Sequence, residues 1–179
     1  MPADPPSPGA PDAMAPGAHP VMAIRRIVDL FNTIAPADIE RLIEYYCEDA
    51  TFVDPFNAVR GIAPIEQIFR HMFERLEQPR FEVLTVVGDA HEAMLTWDFR
   101  FRFRNTWLQR PSDPDQAIHG ATRLVFAADG RVCLHRDYWD AAAEFYERLP
   151  LIGPVLRRLR LSASAGPGAK SVTAPSQKR

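Results

Sequence analysis

The hexapeptide His135-Arg136-Asp137-Tyr138-Trp139-Asp140 packs four ionisable side chains and two large aromatics into six consecutive positions. Side chains alternate along a strand, so His135, Asp137 and Trp139 share one face. Arg136, Tyr138 and Asp140 take the other, or the exit into the next element. An imidazole two residues from a carboxylate can hydrogen-bond to it or relay a proton. A carboxylate held away from water has its pKa raised, which suits acid/base chemistry near neutral pH. The alternative is a polar strand edge that carries a tryptophan. A second carboxylate, Asp54, stands directly before Pro55 in Asp49-Ala50-Thr51-Phe52-Val53-Asp54-Pro55. It is either a second acid/base group or the side-chain-to-backbone turn that ends a strand.

The elements that must position these groups follow from periodicity. Ile24, Ile27, Val28, Phe31 and Ile34 recur at helical spacing until Pro36 breaks the run. Ile39, Leu42, Ile43 and Tyr46 predict a second short helix, and Ala50–Phe56 a short strand stopped by Pro55. Pro64 suits the first turn of a third helix, whose stripe is Ile65, Ile68, Phe69, Met72, Phe73 and Leu76, with Pro79 closing it. The period then changes to two. In the run 92–104, Leu95, Trp97, Phe99, Phe101 and Phe103 alternate with Thr96, Asp98, Arg100, Arg102 and Arg104. The segment 105–116 reads as a loop, and two further strands flank the turn at Ala127–Gly130. A broken amphipathic helix runs from Ala141 to about Leu161. Helices set apart from a run of strands predict an α+β fold.

Residues 1–20 hold seven of the seventeen prolines and show no apolar period. They are expected to be a disordered extension and not a signal peptide. Residues 162–179 read as a disordered basic tail, leaving 21–161 as the folded domain. Net charge is −2, yet all seven basic residues after Glu147 face no acid. The remainder is acidic, which argues against nucleic-acid binding. No stretch reaches the roughly 20 apolar residues of a membrane span. Leu151, Ile152, Val155, Leu156 and Leu159 opposite Arg157, Arg158 and Arg160 can lie on an anionic membrane; packing on the rest of the domain or on a partner subunit is the favoured reading. Two cysteines, Cys47 and Cys133, predict a reducing, cytoplasmic setting rather than a disulfide framework. No Cys-x-x-Cys or His-x-x-x-His spacing suggests a metal, and no cofactor is expected.

The stretches Tyr45–Phe56, Val59–Phe69, Thr96–Phe99, His119–Val132 and His135–Asp140 resemble the nuclear transport factor 2-like superfamily, which includes SnoaL-like polyketide cyclases, ketosteroid isomerases and limonene epoxide hydrolases. The resemblance implies a cone-shaped, curved antiparallel sheet wrapped around N-terminal helices, with a pocket between them and a homodimer through the outer sheet face. It implies that His135, Asp137 and Trp139 face the pocket, and that Asp54 stands where the isomerases place their proton-shuttling carboxylate. Phe31, Trp97, Phe99, Phe101, Thr122, Leu124 and Trp139 then supply substrate contacts, and Asp54, Asp137 and His135 the catalysis.

The departures are specific. The isomerases use one Asp as base and a Tyr with a protonated Asp as oxyanion hole. That second Asp falls on Thr122, and the Tyr falls among Ile27–Leu30, where none occurs. The Arg-x-Asp of the epoxide hydrolases becomes Thr96-Trp97-Asp98, and alternation turns Asp98 outward. Two functions therefore stand side by side. One is a cofactor-independent isomerase, cyclase or hydrolase acting on an apolar steroid-, terpenoid- or polyketide-like molecule. The other is a non-catalytic module that binds such a ligand.

Overall fold

The computed structural model describes residues 18–104, 115–148 and 153–163. The stretches expected to be disordered lie almost wholly outside these residues, as does most of the predicted 105–116 loop. The chain divides into two units, Met1–Trp139 and Asp140–Arg179.

The first unit opens with α1 (Ala18–Thr33), followed by a 3-10 helix over Pro36–Glu44. The α1 stripe buries Ile27, Leu30 and Phe31, while Ile24 and Val28 are half-buried against the same core. Pro36 starts the 3-10 helix, where a missing N–H costs nothing, and the Asp38 carboxylate accepts from the Ala35 N–H at 2.9 Å. Tyr46 is not the last residue of this helix, as the spacing predicts. It is the first residue of β1 (Tyr46–Val53), and Ile43 is left 41% exposed. The start of β1 is irregular: Tyr46, Cys47, Ala50 and Phe52 are buried while Glu48 and Asp49 face water, across a register shift between Tyr46 and Thr51.

After a turn, β2 (Ala58–Arg60) pairs antiparallel with β1. Helix α2 (Ile62–Arg75) follows Gly61, whose φ of 101° favours glycine, and buries Ile65 and Phe69. The long strands β3 (Leu76–Gly88), β4 (Glu92–Phe103), β5 (Gln116–Phe126) and β6 (Val132–Trp139) complete the unit. Pro79 does not close α2. It sits inside β3, at a register break between Glu77 and Arg80, beside Gln78 with φ 50°. An edge strand tolerates this, because one side of its backbone has no ladder to lose. Farther along, the Val83 N–H donates to the Asn32 side chain of α1 at 2.8 Å.

The sheet order is β2-β1-β6-β5-β4-β3. The expected cone, an antiparallel sheet curled around the helices, is corrected on two counts. The sheet is mixed, because β1 runs parallel to β6. It is also open, with β2 and β3 as its edges among the described residues, and neither closed nor strongly curled. Alternation specifies which face a residue takes but not which strand lies beside it or in which direction. The hairpin-linked strands β3 to β6 were therefore legible as neighbours, and the β1–β6 pairing was not.

The helices pack on one sheet face. Leu95, Leu124 and Ile65 are fully buried there, each contributing about 1.5–3 kcal/mol relative to exposure. The opposite face carries Thr96, Asp98, Arg100 and Arg102. Asp98 is itself buried, accepting from Arg100 at 3.2 Å and meeting His119 Nδ1 at 2.6 Å.

In the second unit, α3 (Ala141–Glu144) is capped by the Asp140 carboxylate, which accepts from the Ala143 N–H at 2.9 Å. Helix α4 (Gly153–Ala163) holds Arg160 3.0 Å from the buried Glu147 carboxylate. Val155, Leu159 and Leu161 of α4 are exposed; Leu151 and Ile152 lie outside the described residues. Among the described residues no helix is long and apolar enough to cross a membrane.

Trp97 of β4 lies opposite Gly120 of β5, and its six-membered ring covers the space a Cβ would fill. Gly120→Ala therefore collides with the indole. A loss of about 2 kcal/mol is expected, read as a lower urea midpoint with a shift in tryptophan emission.

Candidate functional site

β4, β5 and β6 bring three polar side chains into the apolar face. Thr122 pairs directly with Asp137, Leu124 with His135, and Leu95 with Thr122. The Trp97 Nε1–H donates to Thr122 Oγ1 at 2.7 Å, and the Thr122 hydroxyl donates to Asp137 Oδ1 at 2.5 Å. His135 Nε2 lies 2.9 Å from the same Oδ1, and His135 Nδ1 lies 2.7 Å from the Tyr46 hydroxyl.

The donor and acceptor inventory sets a direction for this chain. Indole N–H donates only, and an ionised carboxylate accepts only. With Asp137 ionised, His135 donates from Nε2 and accepts the Tyr46 proton at Nδ1. Every proton then points toward Asp137: from Tyr46 through His135 on one side, and from Trp97 through Thr122 on the other. Burial, and then the charge of Asp137, hold the Tyr46 phenol well above its usual 10.0, so it stays a donor.

The members differ in access. The Tyr46 residue is fully buried, and the His135 and Asp137 side chains are 4% and 16% exposed. No buried side-chain nitrogen or oxygen among the described residues lacks a partner. Among the described residues, the hydrogen bonds to Asp137 all fall on Oδ1 and none on Oδ2. Arg136 and Tyr138 lie exposed on the other face.

Aromatic rings wall the imidazole. Phe52 and Phe31 stand 4.6 and 5.4 Å from His135 between ring centroids, and Tyr46 stacks at 6.0 Å. Phe81 meets Trp97 edge-on at 5.6 Å and stacks on Phe99 at 4.3 Å; Phe99 leads on to Phe101. Trp139 lies opposite Gly120 and meets Phe56 at 5.3 Å. Leu124 is a wholly buried neighbour of His135.

Asp54 follows the last residue of β1. The register pairs Phe52 with His135 and Val53 with Arg136, so its continuation sets Asp54 next to Asp137 in strand order. Its carboxylate, however, is occupied. It accepts from the Phe56 and Asn57 N–H groups at 2.7 and 2.6 Å, and from the Asn57 amide on both oxygens. No described hydrogen bond joins it to Asp137.

Periodicity missed Tyr46, Phe52 and Phe81. Tyr46 escaped because Ile39, Leu42 and Ile43 precede it at helical spacing. Alternation marks Ala50 and Phe52, but the register shift between Tyr46 and Thr51 hides Tyr46 from it. Asp98 faces away from Trp97, toward Arg100. Among the described residues no three metal-ligating side chains converge.

Residues 24–135 match the family model described as the SnoaL-like domain. No curated protein matches the sequence. Solved structures share the fold. A limonene epoxide hydrolase-like (LEH-like) epoxide hydrolase of M. tuberculosis is 16% identical, with TM-score 0.55, covering 80% of this chain and 98% of that one. A putative SnoaL-like polyketide cyclase from Jannaschia sp. CCS1 is 17% identical, with TM-score 0.58, covering 75% and 94%. A hypothetical protein with a ketosteroid isomerase-like fold from Catenulispora acidiphila DSM 44928, in complex with trimethylamine, is 14% identical, with TM-score 0.57, covering 72% and 93%.

Tyr46 gives the network a pH signature. Its folded pKa is raised, so above pH 10 the folded chain keeps a proton that the unfolded chain loses. Stability then falls as pH rises, by up to about 1.4 kcal/mol per unit. Tyr46→Phe should remove this contribution while costing about 1–3 kcal/mol at neutral pH, because His135 Nδ1 loses its donor. Urea unfolding of both proteins between about pH 8 and 11 checks the pair of effects.

Proposed function

Because the chain belongs to the SnoaL-like domain family of the nuclear transport factor 2-like superfamily, we propose that it is a cofactor-independent acid/base catalyst with Asp137 as its base. The substrate is an apolar small molecule of steroid, terpenoid or polyketide class that carries a carbonyl or an epoxide. The observation that carries this reading is the asymmetry of Asp137. Oδ1 is fixed by two donors, while no described residue hydrogen-bonds to Oδ2. A base needs that combination of fixed orientation and a free lone pair.

In this mechanism Oδ2 takes a proton from the carbon next to a carbonyl, or from a water placed against an epoxide. Thr122 and His135 keep the carboxylate from rotating and stabilise its charge. Tyr46 and Trp97 are positioning residues, because they act only through His135 and Thr122. Phe31, Phe99, Phe101, Leu124 and Trp139 supply apolar surface against which the substrate is held. Asp54, read by sequence as a second catalytic group, takes a narrower part: its turn holds Phe56 against Trp139. The homodimer through the outer sheet face belongs to the same proposal. Met94 and Tyr138, both exposed, lie on that face.

A specific observation favours the second reading, a binding module. The hydroxyl protons of Thr122 and Tyr46 are both spent inside the network. Neither is free to stabilise an oxyanion, the term that usually lowers the barrier most.

A ligand screen followed by turnover assays on Asp137→Asn and Asp54→Asn separates the readings. Asp137→Asn should lower kcat by about 10²-fold or more with little change in KM. Asp54→Asn should mainly cost stability, about 1–2 kcal/mol. Undiminished turnover in Asp137→Asn would exclude it as the base. A parent protein that binds ligands tightly and turns none over supports the binding module.

A further inference from the structure

Cys47 and Cys133 take no part in the Asp137 network, yet they flank it in sequence. Cys47 follows Tyr46 in β1, and Cys133 stands two residues before His135 in β6. Both are free thiols, and their sulfurs lie 2.8 Å apart. Tyr46 pairs with Val132 in parallel register, so the next residue of each strand is a cysteine. The ladder then breaks, resuming only at Thr51 with Leu134. The two thiols meet where backbone hydrogen bonds between these strands are interrupted.

A disulfide needs sulfurs about 2.05 Å apart, and the Cα spacing it accepts includes that of neighbouring strands. From 2.8 Å the sulfurs must close by only about 0.8 Å. The thiols also differ in access: Cys47 is 8% exposed, and Cys133 is only half-buried. Cys133 is the sulfur that a reagent in solution reaches first.

We propose that Cys47 and Cys133 form a redox modification site, oxidised by a small disulfide of the glutathione class to an intramolecular disulfide that staples β1 to β6. The Cys133 thiolate attacks one sulfur of the small disulfide. A mixed disulfide forms on Cys133, and the first small thiolate leaves, taking up the proton that Cys133 gave. Cys47 then attacks the Cys133 sulfur. The Cys47–Cys133 bond forms, and the second small thiolate leaves with the Cys47 proton. Two cysteine thiols are oxidised, and one small disulfide is reduced to two thiols. Burial, followed by the hydrogen bond to Cys133, pushes the Cys47 thiol up from 9.0 to about 12. The second step is therefore slow at neutral pH and accelerates as pH rises. The site stands independently of the function proposed above.

The test uses the full chain incubated with oxidised glutathione, quenched in acid, alkylated and weighed by mass spectrometry. The expected product is a monomeric chain lighter by two hydrogens, with neither cysteine alkylated and a thermal midpoint higher by roughly 5 °C. Its rate of formation rises with pH. Cys47→Ser should stop at the mixed disulfide on Cys133, and Cys133→Ser should give no disulfide within the chain. Cys→Ala variants at the same positions serve if the serine proteins do not fold. The proposal is overturned if the parent keeps two alkylatable thiols in a large excess of oxidised glutathione. A mixed disulfide that persists, or disulfides formed only between chains, would overturn it equally.

Discussion

Placing a carboxylate at the margin of an apolar core is unfavourable unless its hydrogen bonds are made there, and this constraint organises the first unit. Asp137 is accommodated because Thr122 and His135 both donate to one of its oxygens. Each of those donors is oriented by a further one, Trp97 or Tyr46. Loss of any link leaves its neighbour unpaired in dry surroundings, at a cost of about 1–3 kcal/mol. The network thus couples β1, β4, β5 and β6: a one-residue slip in any of them would turn a member to the opposite face. Gly120 belongs to the same constraint, since only the absence of a side chain lets the Trp97 ring lie where its nitrogen reaches Thr122.

The parallel contact between β1 and β6 has a topological origin. Strands β3 to β6 are joined in sequence and pair as hairpins, but β1 reaches β6 across most of the unit. That long-range pairing delivers Tyr46 and Phe52 to His135. It also explains why the side chains around His135 come from segments remote in sequence. Asp54 sits where this contact ends, and its saturated carboxylate turns the chain into β2.

Much of this was legible in the residues themselves. The alternation of 92–104 placed Trp97 and Phe99 inward and Asp98 with Arg100 outward, because unpaired buried arginines would be prohibitive. The same rule set His135 and Asp137 on one face. The illegible parts share a cause: each depends on a partner remote in sequence. Tyr46 looks helical until β6 supplies a strand for it to join. Asp54 before Pro55 reads equally as base or turn, and its contacts with Asn57 on both oxygens are not encoded in any period. The openness of the sheet is likewise a property of strand neighbours, which no local pattern encodes.

The irregular start of β3 bears on how the molecule behaves in concentrated solution. Val83–Gly88 contains no charge, and its Leu84 and Val87 side chains are more than half exposed. Such a rim invites another chain to extend the sheet. Pro79 offers no amide proton, Gln78 bends the backbone away, and Asn32 already occupies the Val83 N–H. A visiting strand would lack backbone partners along the first half of β3, so this edge offers its amides only beyond Val83.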